Sequence, residues 1–306
     1  MSPPDGTDFL AFHADERRAQ ALAGQRSGRA AIRPFMPDQH RSFFAGLPCL
    51  FTATADGEGW PVASVLSGPP GFVHSPDATT LRIDALPGRD DPAAPGFTAG
   101  AGIGLLGLEF PTRRRNRANG VLAAVDDDGM TVRIEQSFGN CPQYIQARTP
   151  QPRATTPAPV ESLPSLDAAA RRQIAAADTF FVASRSRPDL AGGGFDLSHR
   201  GGRPGFVGID GDTLAVPDFR GNRFYNTLGN FLGEPRAGLL FVDFDTGDLL
   251  QVQGRAAVDW QASGGPAGAE RLWSLRVERA WRRRGALPLA WTGLDYAPTT
   301  LATGTW

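Results

Sequence analysis

The chain has 306 residues, 41% of them hydrophobic, and sets 31 basic residues against 32 acidic ones for a formal net charge of −1. A chain of this length buries a full core without disulfide or metal staples and, at roughly 150 residues per domain, makes about two domains. The charge balance excludes a general nucleic-acid or membrane-surface binder, and the absence of any lysine excludes Schiff-base chemistry and a Walker-type phosphate loop.

Two cysteines, Cys49 and Cys141, and four dispersed histidines do not form a zinc pattern. The amino terminus is polar and proline-rich rather than a secretion signal, and no apolar run approaches the ~20 residues of a membrane span. A cytoplasmic protein is therefore expected. Glycine and proline make up about a fifth of the chain, which favours short strands and turns over long helices.

In chain order, residues 37–47 read as a short amphipathic helix with Pro37 in its first turn. Apolar strands follow at 49–53, 62–66, 72–73, 80–85 and 103–110. The proline-rich stretch 149–164 reads as a semi-rigid extended linker. A second helix is expected over 166–177, capped by Ser165 or Asp167, and then strands at 179–184, 196–199, 206–209, 213–216, 237–244 and 249–257. Short strands at this spacing indicate a small β-barrel or sandwich. In the last stretch, Trp273, Trp281, Trp291 and Trp306 read as packing residues and Arg282, Arg283 and Arg284 as a solvated face.

The sequence also repeats itself. Ser64 opens SVLSGPPGFV and Ser198 opens SHRGGRPGFV, 134 positions later; GLLGLEF at 104–110 and GLLFVDF at 238–244 keep that offset, as do Gly120 and Gly254. Several blocks in one register indicate two copies of one domain. Domains are expected over 1–148 and 165–306, joined by 149–164.

Chemistry is expected where the copies differ. Only the second carries Arg220-Gly221-Asn222-Arg223 followed by Asn226-Thr227-Leu228-Gly229-Asn230. Arginine forks, a close-approach glycine and a helix start would make an anion cradle there; the alternative is a polar strand-to-helix turn with solvent-facing arginines. Ser198, His199 and Arg200 stand at a strand end where they could line a ligand. Adjacent strand residues point to opposite faces, so Ser198 and His199 do not read as a nucleophile pair. Gly102–Gly107 matches GxGxxG, but its repeat partner lacks the glycines and reads as a strand, so the match is rejected. Asn140 and Gln143, beside Cys141, would offer polar groups to a ligand held by the other copy, or else belong to a capping turn.

SHRGGRPGFV, VPDFRGNRFYNTLGN, PRAGLLFVDF and LLQVQGRA, with SGPPGFV, GLLGLEF and QSFGNCPQYIQAR in the first half, resemble the pyridoxamine-5′-phosphate-oxidase-related flavin-binding family over roughly residues 35 to 300. The resemblance implies a mainly β fold, two tandem split β-barrels with short helices, binding FMN where the barrels meet. It implies that the phosphate is held by Arg220, Asn222 and Arg223 and that Ser198, His199 and Arg200 run near the ring; Asn226, and Asn140 and Gln143 of the first barrel, are further candidates for binding the cofactor. No catalytic residue and no metal are assigned. The lysine that true oxidases carry in the phosphate loop is missing, and their carboxy-terminal substrate motif is not recognisable. The function implied is an FMN-dependent oxidoreductase of unknown substrate; the alternatives are a non-catalytic flavin carrier, a haem or deazaflavin binder, or an electron-transfer partner of a ferredoxin-reductase-like donor. Members of the family sometimes carry such a module, and none is expected within these 306 residues. Homodimerisation of the whole chain stays open.

Overall fold

Six consecutive residues, Cys49 to Thr54, are buried in a single strand, which therefore has no solvent face. That strand lies between two cores, and its surroundings organise the molecule. The computed structural model describes residues 9–25, 31–261 and 264–306. Helices α1 (Ala14–Leu22) and α2 (Asp38–Ala45) precede strands β1 (Cys49–Ala55), β2 (Pro61–Ser67), β3 (Val73–Asp77), β4 (Thr80–Ile83), β5 (Gly102–Glu109), β6 (Arg114–Asp126) and β7 (Gly129–Gly139). Then come β8 (Ala147–Pro152), β9 (Glu161–Leu163), α3 (Ala168–Ala176), β10 (Thr179–Arg185), β11 (Phe195–Gly201), β12 (Gly208–Asp210) and β13 (Thr213–Phe219). The chain closes with α4 (Asn226–Gly233), β14 (Arg236–Val242), β15 (Leu249–Asp259), β16 (Ala269–Arg283), β17 (Leu289–Asp295) and α5 (Pro298–Leu301).

The first sheet runs β2-β1-β5-β6-β7-β4-β3 and the second β11-β10-β14-β15-β16-β13-β12, with β9 added on β16 and a separate β8–β17 ribbon. Every pairing is antiparallel, and the two orders match strand for strand. Val62 and Leu66 of β2 share one buried cluster with Val73 of β3, at the opposite end of the sheet order, so the first sheet curls around its core. The second gathers Phe180, Leu214, Val252 and Trp273 in the same way. The fold is mainly β and antiparallel with short helices, as expected.

A third cluster joins the sheets. Phe51, Ala63 and Leu106 meet Phe181, Leu197 and Leu240, and the rings of Phe51 and Phe181 stack with centroids 3.7 Å apart. A Cβ on Gly104 would stand 2.9 Å from the carbonyl oxygen of Phe195, and one on Gly238 would strike that of Pro61. Both pairs keep the offset of 134, so the contact is self-complementary in the way of a two-fold interface, inside one chain.

Helix α2 falls within its expected span with Pro37 at the cap, and α3 is capped by Asp167, whose carboxylate accepts from Ala170 N at 2.7 Å. Gly102–Gly107 lies in β5. Thr149–Pro152 pairs with β17, and Glu161–Leu163 pairs with β16. Trp273 and Trp291 are buried, whereas Trp306 is 53% exposed. The arginine run is not a solvated face. Arg282 is buried against Glu161 and Asp167, and Arg283 reaches Asp91 at 2.6 Å; only Arg284 is exposed. Alternation along β16 sends neighbouring guanidiniums to opposite sides, and each side meets a carboxylate. No helix among the described residues is long and apolar enough to cross a membrane.

Candidate functional site

Strand β11 presents Asp196, Ser198 and Arg200 to one side and His199 to the other, as its period of two requires. Strand β6 of the other sheet faces it with Arg115 and Arg117. Arg117 pairs with Asp196 and donates to Ser198 Oγ at 2.7 Å and to Asn226 Oδ1 at 3.3 Å. Arg115 Nη1 lies 3.1 Å from His199 Nδ1, and its Nε donates to the Cys141 carbonyl at 2.9 Å. The third wall is the turn from β13 into α4.

These elements enclose two adjoining lobes of about 60 Å³ each, which share Arg117, Arg200, Phe219, Gly221 and Asn222. The first adds Ser198, Arg223, Asn226 and Arg271; the second adds Arg115, Asn140, Gln143, Tyr144 and His199. Five guanidiniums but only two carboxylates, Asp218 and Glu270, line the pair. In a chain of net charge −1 this is a concentration of positive charge. Asp218 answers Arg271 at 2.5 Å and lies 3.8 Å from Arg200. Arg223 has no hydrogen bond or ion pair among the described residues.

The electrostatics carry the mark of an unmet demand for negative charge. Burial, with Arg115 and Arg200 beside it, holds the His199 imidazole well below its usual range, so it is neutral at pH 7. Burial likewise pushes Arg200 down, and Arg115 down to about 10, with the neighbouring guanidiniums adding to the strain. Arg117 Nε, Arg200 Nε, His199 Nε2 and both amide atoms of Asn140 are buried without a partner. A buried polar group without a partner costs about 1–3 kcal/mol, more when charged.

Backbone strain gathers at the same place. Among the described residues four non-glycine residues have positive φ, and three stand at this cleft: Tyr144 (64°), Arg223 (63°) and Tyr225 (59°). Tyr225 precedes α4 and supplies no side-chain cap, and the first-turn residues Asn226, Thr227 and Leu228 line the lobe. Asn222 Oδ1 accepts from Phe224 N at 3.1 Å and fixes the turn.

The structure thus brings Ser198, Arg200, Asn222, Arg223 and Asn226 into one lobe and His199, Asn140 and Gln143 into the other. Arg220 stands apart: its side chain is exposed, and only its carbonyl takes part, accepting from Tyr144 Oη at 3.0 Å. Arg115, Arg117 and Arg271 were not anticipated. For the first two the available signal was two arginines spaced by two after an apolar strand.

The corresponding place in the other half is closed. Ser64 and Gln251, offset by 134 from Ser198 and Arg117, both bond to the carboxylate of Asp91, which also takes Arg283 at 2.6 Å and Ala93 N at 2.9 Å. Asp91→Ala is expected to cost about 3–5 kcal/mol in urea unfolding, because Arg283 would lose its counter-charge inside the protein. A roomier cavity of about 270 Å³ lies beyond the Tyr144–Arg148 segment. Its single guanidinium, Arg148, already pairs with Asp178 and covers the Phe244 ring at 3.9 Å, and Asp243 and Asp245 add negative charge.

No protein-family model matches the sequence, and no curated protein matches it. Similar solved structures include a HupZ variant from Group A Streptococcus (13% identity, TM-score 0.29, 38% of this chain and 98% of that one). An FAD-binding protein from Mesorhizobium loti (12%, 0.27, 40% and 96%) and a putative 5-nitroimidazole antibiotic resistance protein from Bacteroides thetaiotaomicron (10%, 0.27, 44% and 93%) are also similar. At these scores the likeness carries no weight, and the functional reading rests on the cleft itself.

Proposed function

We propose that the chain is a flavin-binding protein, with residues 1–148 and 165–306 as two split-barrel halves of the pyridoxamine-phosphate-oxidase-related kind, joined by 149–164, and one FMN site between them. The observation that supports it is the excess of guanidinium over carboxylate lining a cleft built by both halves, with unpartnered N–H groups beside it. The donor set fits a phosphate ester. Each lobe has the room of a phosphate group rather than of a fused three-ring system, so the ring would extend across the cleft mouth.

In this reading Arg223 and the α4 N–H groups take the phosphate, Arg117 and Arg200 supply the deeper positive charge, and Asn222 holds the turn in shape. Arg220 contributes through its backbone rather than its guanidinium. Neutral His199 beside Arg115 offers a fixed hydrogen-bonding edge without adding charge. Bound FMN would supply one- or two-electron redox chemistry. The tightness of the second lobe favours electron transfer over turnover of a bulky substrate, and oxidation of NADPH by the flavin-loaded protein separates the two.

The absorption spectrum of the purified protein is the first test, and a flavin band is expected. Arg223→Ala should then weaken FMN binding by about 1.5–3 kcal/mol, more at low salt than at high. FMN fluorescence titration reads this, and unchanged affinity would remove the phosphate assignment.

A further inference from the structure

Helix α1 belongs to neither sheet, yet it is fastened to the helix that opens the anion lobe. The Glu16 side chain is buried and accepts from Asn226 Nδ2 through one oxygen and from His13 N, at 2.9 Å, through the other. His13 Nε2 lies 2.9 Å from Asn230 Oδ1, and Gln20 donates to the Phe224 carbonyl at 3.2 Å. The backbones approach so closely that a Cβ on Gly229 would stand 2.6 Å from Glu16 Cα. Asn226 accepts from Arg117 through its other amide atom, so a continuous path runs Glu16–Asn226–Arg117 into the lobe.

The charges around Glu16 come from every element packed on it. His13 Nε2 stands 3.7 Å away on its own helix. Asp15, also on α1, is occupied by Arg187 at 3.2 Å. Asp196 lies on β11 and Arg117 on β6, and those two answer each other. Glu135 of β7 shares the small hollow beside it. Glu16 is therefore a buried carboxylate whose bonds are to amide groups rather than to a cation of its own.

Resting on the flavin reading, we propose that Glu16 is a positioning residue of the phosphate end, and that a proton on its carboxyl tightens the hold on a phosphate ester while its ionisation loosens it. An ionised carboxylate pins Asn226 and sets a negative charge beside the lobe; protonation removes that charge and releases the amide. Burial pushes the carboxyl up to about 8, against the hydrogen bonds from Asn226 and His13, and Asp196 pushes the same way. The titration therefore falls within the range where proteins are handled. The sign follows from linkage: a phosphate that favours the protonated form binds more weakly as pH rises through this range. Folding stability moves in the same direction, full below the carboxyl's ordinary 4.5 and lost as pH rises to about 8.

The test is the dissociation constant of FMN for the full chain from pH 6 to 9.5, by fluorescence quenching. Wild type should weaken on the order of tenfold across the step, the scale of one nearby like charge. Glu16→Gln should flatten the curve and raise the melting temperature more at pH 9 than at pH 5.5. A second measurement needs no variant: calorimetry at pH 8 in two buffers of different ionisation heat should show uptake of part of a proton per FMN bound. A Glu16→Gln protein with the wild-type pH curve, or no proton uptake, overturns the role of Glu16 and leaves flavin binding standing. Absence of FMN binding at every pH overturns both.

Discussion

Arg117→Ala should abolish measurable FMN binding and lower unfolding stability by about 3–5 kcal/mol, the cost of breaking a buried ion pair by removing one partner. Arg117 is 6% exposed. It reaches from β6 across the boundary between the sheets to Asp196 and Ser198 of β11 and Asn226 of α4, and its guanidinium lies 5.4 Å over the Phe138 ring. Truncation leaves Asp196 buried without a counter-charge and strips a buried cation from the anion lobe. Arg117→Lys separates the two losses. An ammonium keeps the charge but is a compact point donor without the planar fork that spans Asp196, Ser198 and Asn226, so stability should return in part while FMN affinity stays low. Urea unfolding and fluorescence titration read the two quantities. An alanine variant as stable as wild type would mean that the pair does not bridge the sheets.

The legible part of this protein was the part where chemistry is local. The turn Gly221-Asn222-Arg223 announces itself by residue type, and the repeated PGFV and GLL blocks announce the matching sheets. Strands β6, β7 and β16 were not legible, and a bulge explains why. β16 buries Trp273 and Leu275, then Ala280 and Arg282, so the buried parity changes along the strand. The change coincides with the register shift opposite Gln253 and Gly254, and the first sheet carries its counterpart at Asn119 and Gly120. The repeated glycines mark these bulges, where a Cβ would collide with the carbonyls of Arg276 and Arg133. Helix α1 was invisible for another reason: the face it buries includes Asp15, Glu16 and Gln20 beside Ala19, so no apolar stripe betrays it. Arg115 and Arg117 belong to a run of arginines whose direction is set only once β6 pairs with β5 and turns them towards β11.

Phe181→Ala should cost about 3–5 kcal/mol, the range for truncating a fully buried aromatic, and should also loosen FMN. Phe181 is fully buried in the cluster between the sheets, stacked on Phe51 on one side and set edge-on to His199, with centroids 5.9 Å apart, on the other. The cavity left behind lies where β1 packs on β10, within the cluster that joins the two sheets, and neither sheet can refill it without moving its own core. His199 then loses the ring that orients it towards Arg115. The anion lobe, set by Arg223, Asn226 and Arg117, lies on the opposite side of β11 and keeps its partners. The variant should accordingly lose more affinity for riboflavin, which has no phosphate, than for inorganic phosphate. Equal losses for both would mean that the cleft opens as one body, and an unchanged affinity for both would place the ligand away from the boundary between the halves.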